Sequence, residues 1–179
     1  MTTSPAVVEL IGNPRSGSRT RALADAAADE LSTRAGGRLV GRQVLELADA
    51  VGVTFGPEPA VAAGPVDDPF ALVRAARLLI VATPTYKATY TGLLKLFLDR
   101  FGHLELAGVV AVPVAVAASE AHRRSVGAAL TDLLAELGAS VPAPPLAVLE
   151  AQAADPTTAA AEWASRHGTT VVETLIKAA

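Results

Sequence analysis

The sequence contains no cysteine, which excludes disulfides, thiolate nucleophiles, thiolate-bound zinc and thiolate-ligated iron–sulfur clusters together. Aromatic residues make up only 4% of the chain, so a core has to be built mainly from Ala, Val and Leu. Nor is there an excess of positive charge. The formal net charge is -3, without the basic field that neutralises a phosphate backbone, and nucleic acid is not an expected partner. No apolar run reaches the roughly 20 residues that cross a bilayer, so no membrane association is expected. The first residues, Met1-Thr2-Thr3-Ser4-Pro5, put no basic segment ahead of an apolar run, and the first apolar stretch, Ala6 to Ile11, includes Glu9 and stops at Gly12. It does not read as a signal peptide, and a soluble, cytoplasmic protein is expected.

What is present is apolar patterning over 179 residues, of which 51% are hydrophobic. That length suits one α/β domain over 1–179 with a single core. Ala6 to Ile11 reads as a buried strand entering the loop Gly12-Asn13-Pro14. Leu23, Ala27 and Leu31 then fall at helical spacing, with Gly36-Gly37 as the stop. Arg38 to Leu47 reads as an edge-side strand, and Ala48 to Asp68, rich in Gly, Pro and Ala, as a long connection. A short helix is expected over Pro69 to Ala76, a central parallel strand over Arg77 to Ala82, and a helix from Gly92 to Phe101. Val109 to Val116 is a strand whose Pro113 belongs at a bulge or an edge. His122 to Leu137 is helical with Gly138 as its cap, Val141 to Leu149 is a last strand broken by three prolines, and Pro156 to Lys177 is a terminal helix. Alternating strands and helices imply a parallel sheet covered on both faces, with ligands bound where strands end. The loops after strands one, three and four are therefore the ones to inspect.

The first loop, Gly12-Asn13-Pro14-Arg15-Ser16-Gly17-Ser18-Arg19-Thr20-Arg21, opens onto a helix, whose free N–H groups and partial positive charge attract anions. Its three arginines and three hydroxyls strengthen that reading. It lacks the Gly-Lys-Ser/Thr ending of a nucleotide P-loop and is not Gly-x-Gly-x-x-Gly; a single phosphate monoester fits better than a pyrophosphate. A capped helix with solvated arginines explains the same residues equally well. The second loop runs from Ala82 to Gly92 and holds both tyrosines of the chain, Tyr86 and Tyr90. Its hydroxyls and N–H groups suit the polar edge of a planar ring, with Tyr90 the better candidate for a core anchor.

Gly12-Asn13-Pro14-Arg15 with Ser18-Arg19, and then Ala82-Thr83-Pro84-Thr85-Tyr86-Lys87-Ala88-Thr89-Tyr90-Thr91-Gly92-Leu93-Leu94-Lys95-Leu96-Phe97-Leu98-Asp99, closely resemble the NAD(P)H-dependent FMN reductases. The nearest branch looks like the reductase components of two-component alkanesulfonate monooxygenases. The likeness runs from the first strand to about Leu137, and the second motif is the specific one. It implies a flavodoxin-like three-layer α/β sandwich with a five-stranded parallel sheet of order 2-1-3-4-5. It implies FMN as cofactor, NADPH or NADH as reductant, and FMN binding by Asn13, Pro14, Arg15, Ser18, Arg19, Thr20, Pro84, Thr85, Tyr86, Lys87, Ala117, Ala118 and Ser119. The third loop, Ala117 to His122, would lie beside the flavin, with alanines where relatives often have glycine. The alkanesulfonate-type reductase inserts a tyrosine in the following helix, associated with a π-bulge; the aligned residue here is Ala128, and no such bulge is expected.

Hydride transfer of this kind is carried by the cofactor, and the sequence offers no Gly-x-Ser-x-Gly and no histidine pair at metal spacing, so no catalytic side chain and no metal are expected. Backbone donors near Tyr86 and Lys87 would face the flavin as charge develops on it. Of the histidines, His103 reads as a helix-end or interface residue, His167 as solvated, and only His122 lies near the site. Lys95 and Asp99 are spaced for an ion pair. Leucines and phenylalanines on more than one face of the Gly92 to Phe101 helix point, with the resemblance, to a homodimer or homotetramer. The partners implied are flavin and nicotinamide nucleotides and a flavin-dependent monooxygenase. A quinone, azo-dye or chromate reductase retaining FMN is the alternative, and a flavodoxin-type electron carrier a more distant one, since such carriers usually have acidic surfaces and phosphate loops without arginine.

Overall fold

The structure, a computed structural model, describes residues 6–50 and 68–178. Five strands, β1 (Val7–Ile11), β2 (Arg42–Glu46), β3 (Leu78–Pro84), β4 (Val110–Ala117) and β5 (Leu146–Leu149), form one parallel sheet of order β2-β1-β3-β4-β5. The helices are α1 (Arg19–Arg34), α2 (Leu47–Ala50), α3 (Pro69–Arg74), α4 (Gly92–Leu98), α5 (Glu120–Glu136) and α6 (Pro156–Lys177). This is the flavodoxin-like arrangement.

The central strands β1, β3 and β4 are buried almost without interruption, because both faces of the sheet are covered, and successive side chains alternate between the two layers. Val7, Ile11, Leu78, Ile80, Val112 and Val114 point towards α1 and α6. Val8, Leu10, Leu79, Val81 and Ala111 point to the opposite layer, where Val73 of α3, Leu94 and Phe97 of α4 and Leu130 of α5 close the core. Three phenylalanines meet there: the Phe70 and Phe97 rings stack at 4.7 Å, and Phe101 meets Phe97 at 5.8 Å, while Trp163 packs in the opposite layer. Glu9 interrupts the apolar pattern from the middle of β1, with no exposure to solvent.

Pro113 departs from expectation. It lies neither at an edge nor at a bulge: β4 has neighbours on both sides, and its register with β3 runs unbroken from Val110 to Val116. Ala111 sends its N–H towards the β5 side, to Ser140 O at 2.8 Å. Alternate residues of a strand point their N–H groups the same way, so the Pro113 nitrogen faces that side too. There it falls between the Ser140 bridge and the start of the β5 ladder opposite Val114, where no donor is required.

Several boundaries also shift. The second strand is confined to Arg42–Glu46, Leu47 passes into α2, and the last strand starts only at Leu146, after its prolines. α4 ends at Leu98, short of Phe101, and α5 starts two residues early at Glu120 because Ser119 caps it, its Oγ accepting from the His122 N–H. α5 is regular α-helix throughout, with no π-turn at Ala128. Gly138 follows its C-terminus at φ +90°, and a Cβ there would stand 2.8 Å from Leu104 Cα. Most of the expected connection from Ala48 to Asp68 lies outside the described residues.

Candidate functional site

Because all strands are parallel, the loops after β1, β3 and β4 emerge at one edge of the sheet, either side of the point where strand order reverses. Between them lies a cleft of about 400 Å³, within the usual range for small-molecule sites.

The first loop is shaped from within by Asn13, which is buried. Its Oδ1 accepts from the Arg15 N–H at 3.0 Å and its Nδ2 donates to Thr20 Oγ1 at 3.2 Å. Gly17 takes φ +63° and turns the chain into α1. Ser18 caps the helix, accepting from the Arg21 N–H at 3.3 Å, which leaves its own hydroxyl proton free. Among the described residues the Arg19 and Thr20 N–H groups have no partner, so they open on the cleft side of the cap as a helix N-terminus requires of an anion site.

The three arginines of this loop are not equivalent. Arg21 is turned away, with Nε 2.8 Å from Asp25 and Nη1 2.7 Å from Glu46. Glu46 also accepts from the Gly17 N–H at 3.0 Å, and Asp49 accepts from the Ser16 hydroxyl at 2.5 Å. These carboxylates buttress the loop from behind. Arg19 reaches across to Glu150, and the Arg15 side chain is exposed without an ion-pair partner among the described residues.

The second loop is tied to the first. Thr91 caps α4, accepting from Leu94 N–H at 3.1 Å while donating to Gly12 O at 2.6 Å. Gly12 can be no larger, since a Cβ on it would stand 2.6 Å from Leu94 Cβ. Thr85 donates both its N–H and its hydroxyl to Val116 O. Tyr86 and Thr89 then exchange backbone hydrogen bonds around Lys87 at φ 50° and Ala88 at φ 69°. This two-residue primed turn usually employs Asn and Gly, and it is held here without either. Ser125 of α5 supports it, donating to Ala88 O at 2.7 Å.

Residues 5–154 match the family model described as NADPH-dependent FMN reductase. The chain belongs to this family. The FMN reductase (NADPH) of Escherichia coli K12 is 46% identical over 61 residues, 34% of this chain and 32% of that protein. The NADH-dependent FMN reductase SfnF of Pseudomonas putida is 32% identical over 130 residues, 72% of this chain and 69% of that one. The chain thus aligns with about a third of the first relative and about two thirds of the second. In structure, an oxidoreductase from Corynebacterium diphtheriae superposes with TM-score 0.77 at 22% identity, covering 98% of this chain and 99% of that one.

In this FMN reductase family member, Asn13, Arg15, Ser18, Arg19, Thr20, Pro84, Thr85, Tyr86 and Ala118 of the expected site residues line the cleft. Pro14, Lys87, Ala117 and Ser119 do not: Ala117 is buried in β4 and Ser119 is spent as a helix cap. The Tyr86 N–H is also committed, donating to Thr89 O at 2.8 Å, so it is not a free donor as expected. His122 stands in the first turn of α5 but does not line the cleft. His167 is not simply solvated; it is half-buried, 5.8 Å from the Trp163 ring. His103 pairs with Glu136 at 3.7 Å on the surface, and Lys95 pairs with Asp99. Tyr90 packs on the core while Tyr86 stays 45% exposed at the cleft.

Sequence reasoning missed Ser16, Gly17, Val116 and Glu150 as lining residues. Glu150 was findable, because it directly follows β5 and so shares the sheet edge at which ligands bind.

Proposed function

We propose that the protein catalyses reduction of FMN by NADPH or NADH and supplies reduced FMN to a flavin-dependent monooxygenase. The observation that carries this reading is the continuity of one cleft from the N-terminus of α1, with Arg15, the Ser18 hydroxyl and Arg19, to Pro84, Thr85, Tyr86 and Ala118. A phosphate at one end and a planar ring at the other match that sequence of groups. Asn13 would act by holding the loop rather than by direct contact, since both ends of its amide are engaged within it.

Hydride transfer from reduced nicotinamide is the chemistry FMN supplies when bound. The chain's residues would bind and orient. Arg15, Arg19 and the free N–H groups of the first turn of α1 would neutralise the phosphate. The turn from Tyr86 to Thr89, braced by Ser125, would present the Lys87 and Ala88 N–H groups along the ring edge. The half-exposed Tyr86 leaves the cleft approachable by a second nucleotide. Arg21 would not serve a phosphate, being held by Asp25 and Glu46. Either NADPH or NADH would serve as reductant, as the relatives' names contain both. A homo-oligomer is proposed from α4, whose Leu96 is half-buried without joining either core cluster.

The test follows oxidation of NADH and NADPH at 340 nm with FMN, FAD, riboflavin or a quinone as acceptor, using protein of known flavin content. Turnover with excess FMN is expected. Turnover with the quinone alone, over tightly retained FMN, would replace this reading with a quinone reductase.

A further inference from the structure

Among the described residues the cleft contains one carboxylate, Glu150, and it stands against one of the two arginines there that are available to a phosphate. Arg19 Nη1 lies 3.3 Å from Glu150 O, and Nη2 lies 3.7 Å from Glu150 Oε2. The Glu150 N–H donates to Ala117 O at 3.0 Å, and the preceding Leu149 N–H donates to Gln152 Oε1 at 2.9 Å. The carboxylate therefore projects from a fixed point at the end of the sheet. Both side chains of the pair are more than half exposed, at 58% and 56%, whereas the pair that holds Arg21 to Glu46 is at 29% and 12%. A pair that keeps most of its hydration is weak and exchanges readily. Among the described residues, the loop thus carries one arginine without a partner, one with an exchangeable partner and one that is fixed.

We infer that Glu150 sets how readily FMN leaves the protein, by competing with the flavin phosphate for the Arg19 guanidinium. The inference rests on the phosphate reading of the first loop given above. With Glu150 present, a phosphate arriving at Arg19 displaces the carboxylate and then remains beside its negative charge. When FMN departs, the carboxylate re-forms the pair and offsets part of the loss. Affinity is lowered and release is hastened, which suits a flavin that is a substrate rather than a resident group. Riboflavin has no phosphate and is indifferent to the exchange.

Dissociation constants for FMN and riboflavin, read from quenching of flavin fluorescence, test this in the wild type and in Glu150→Gln at low and high salt. Glu150→Gln is expected to bind FMN about three- to tenfold more tightly, to release it more slowly by a similar factor in stopped flow, and to bind riboflavin unchanged. The gain should shrink at high salt and fall below about twofold when Arg19→Ala is already present, since the competition then has no object. Unchanged or weaker FMN binding in Glu150→Gln, with the wild type still preferring FMN to riboflavin, overturns the inference alone. A gain that persists in full in the Arg19→Ala background also overturns it, because it would reflect repulsion without competition. A wild type that binds FMN and riboflavin equally overturns the phosphate reading and this inference with it.

Discussion

The Thr91 hydroxyl donates to Gly12 O at 2.6 Å and accepts from the Leu94 N–H at 3.1 Å. One buried side chain thereby caps α4 and joins the loop after β3 to the loop after β1. Thr91→Val keeps the shape but removes both bonds, leaving a buried carbonyl and a helix donor unpaired. A loss of about 2 to 3 kcal/mol is expected in urea unfolding, with Thr91→Ser recovering most of it. Weaker FMN binding should accompany Thr91→Val if the two loops form one site; unaltered flavin affinity would separate the brace from the site.

Arg15 and Arg21 differ by six positions in one loop, yet opposite outcomes are expected. Arg15 has no ion-pair partner among the described residues, so Arg15→Ala should leave thermal stability within about 0.5 kcal/mol and reduce FMN affinity about tenfold, with riboflavin affinity unchanged. Arg21 joins Asp25 and Glu46, so Arg21→Ala should lower the unfolding midpoint and leave the FMN to riboflavin ratio near that of the wild type. A reversed pattern in calorimetry and flavin titration would refute the assignment.

Ala88 takes φ 69° without being glycine, a backbone state that costs on the order of 1 kcal/mol for a side-chain-bearing residue. Ala88→Gly should therefore stabilise the protein by about 0.5 to 1 kcal/mol in chemical denaturation, even though glycine loosens the unfolded chain. A destabilised Ala88→Gly would mean that the turn is not strained.

Glu9 is fully buried in β1; its Oε1 accepts from Arg42 Nε and its Oε2 has no partner among the described residues. Burial pushes its carboxyl up from 4.5 to about 7, against the opposing pull of Arg42. Asp25 and Asp29 of α1 share the same guanidinium. The folded chain thus keeps a proton up to about pH 7 that the unfolded chain releases near pH 4.5. Stability from this group is complete below the lower value and is lost as pH rises through the higher one. Urea midpoints at pH 5, 6, 7 and 8 should show the wild type losing on the order of 1 to 3 kcal/mol relative to Glu9→Gln across that window. Parallel curves would show that Glu9 does not titrate there.

Much of the architecture was legible because it rests on local chemistry. Apolar runs of strand length alternate with helical spacing, and Pro156 to Lys177 was readable to the residue, since an aspartate cap followed by proline marks a helix start. The specific motif from Ala82 to Asp99 carried the family, and most residues chosen for the site do meet around one cleft. The shortfalls are of another kind. Pro113 was misplaced because a missing N–H matters only if a neighbouring strand requires it, and that depends on where β5 begins. Arg21 is set apart in sequence only by Asp25, four positions on; Glu46, which completes its withdrawal from the cleft, comes from β2, 25 positions away. Glu150, 131 positions from Arg19, becomes part of the cleft only when the fifth strand docks. Periodicity, caps and turn residues act within a few positions and are written along the chain. Which charges are free to meet a ligand is settled by pairs that only the folded sheet brings together.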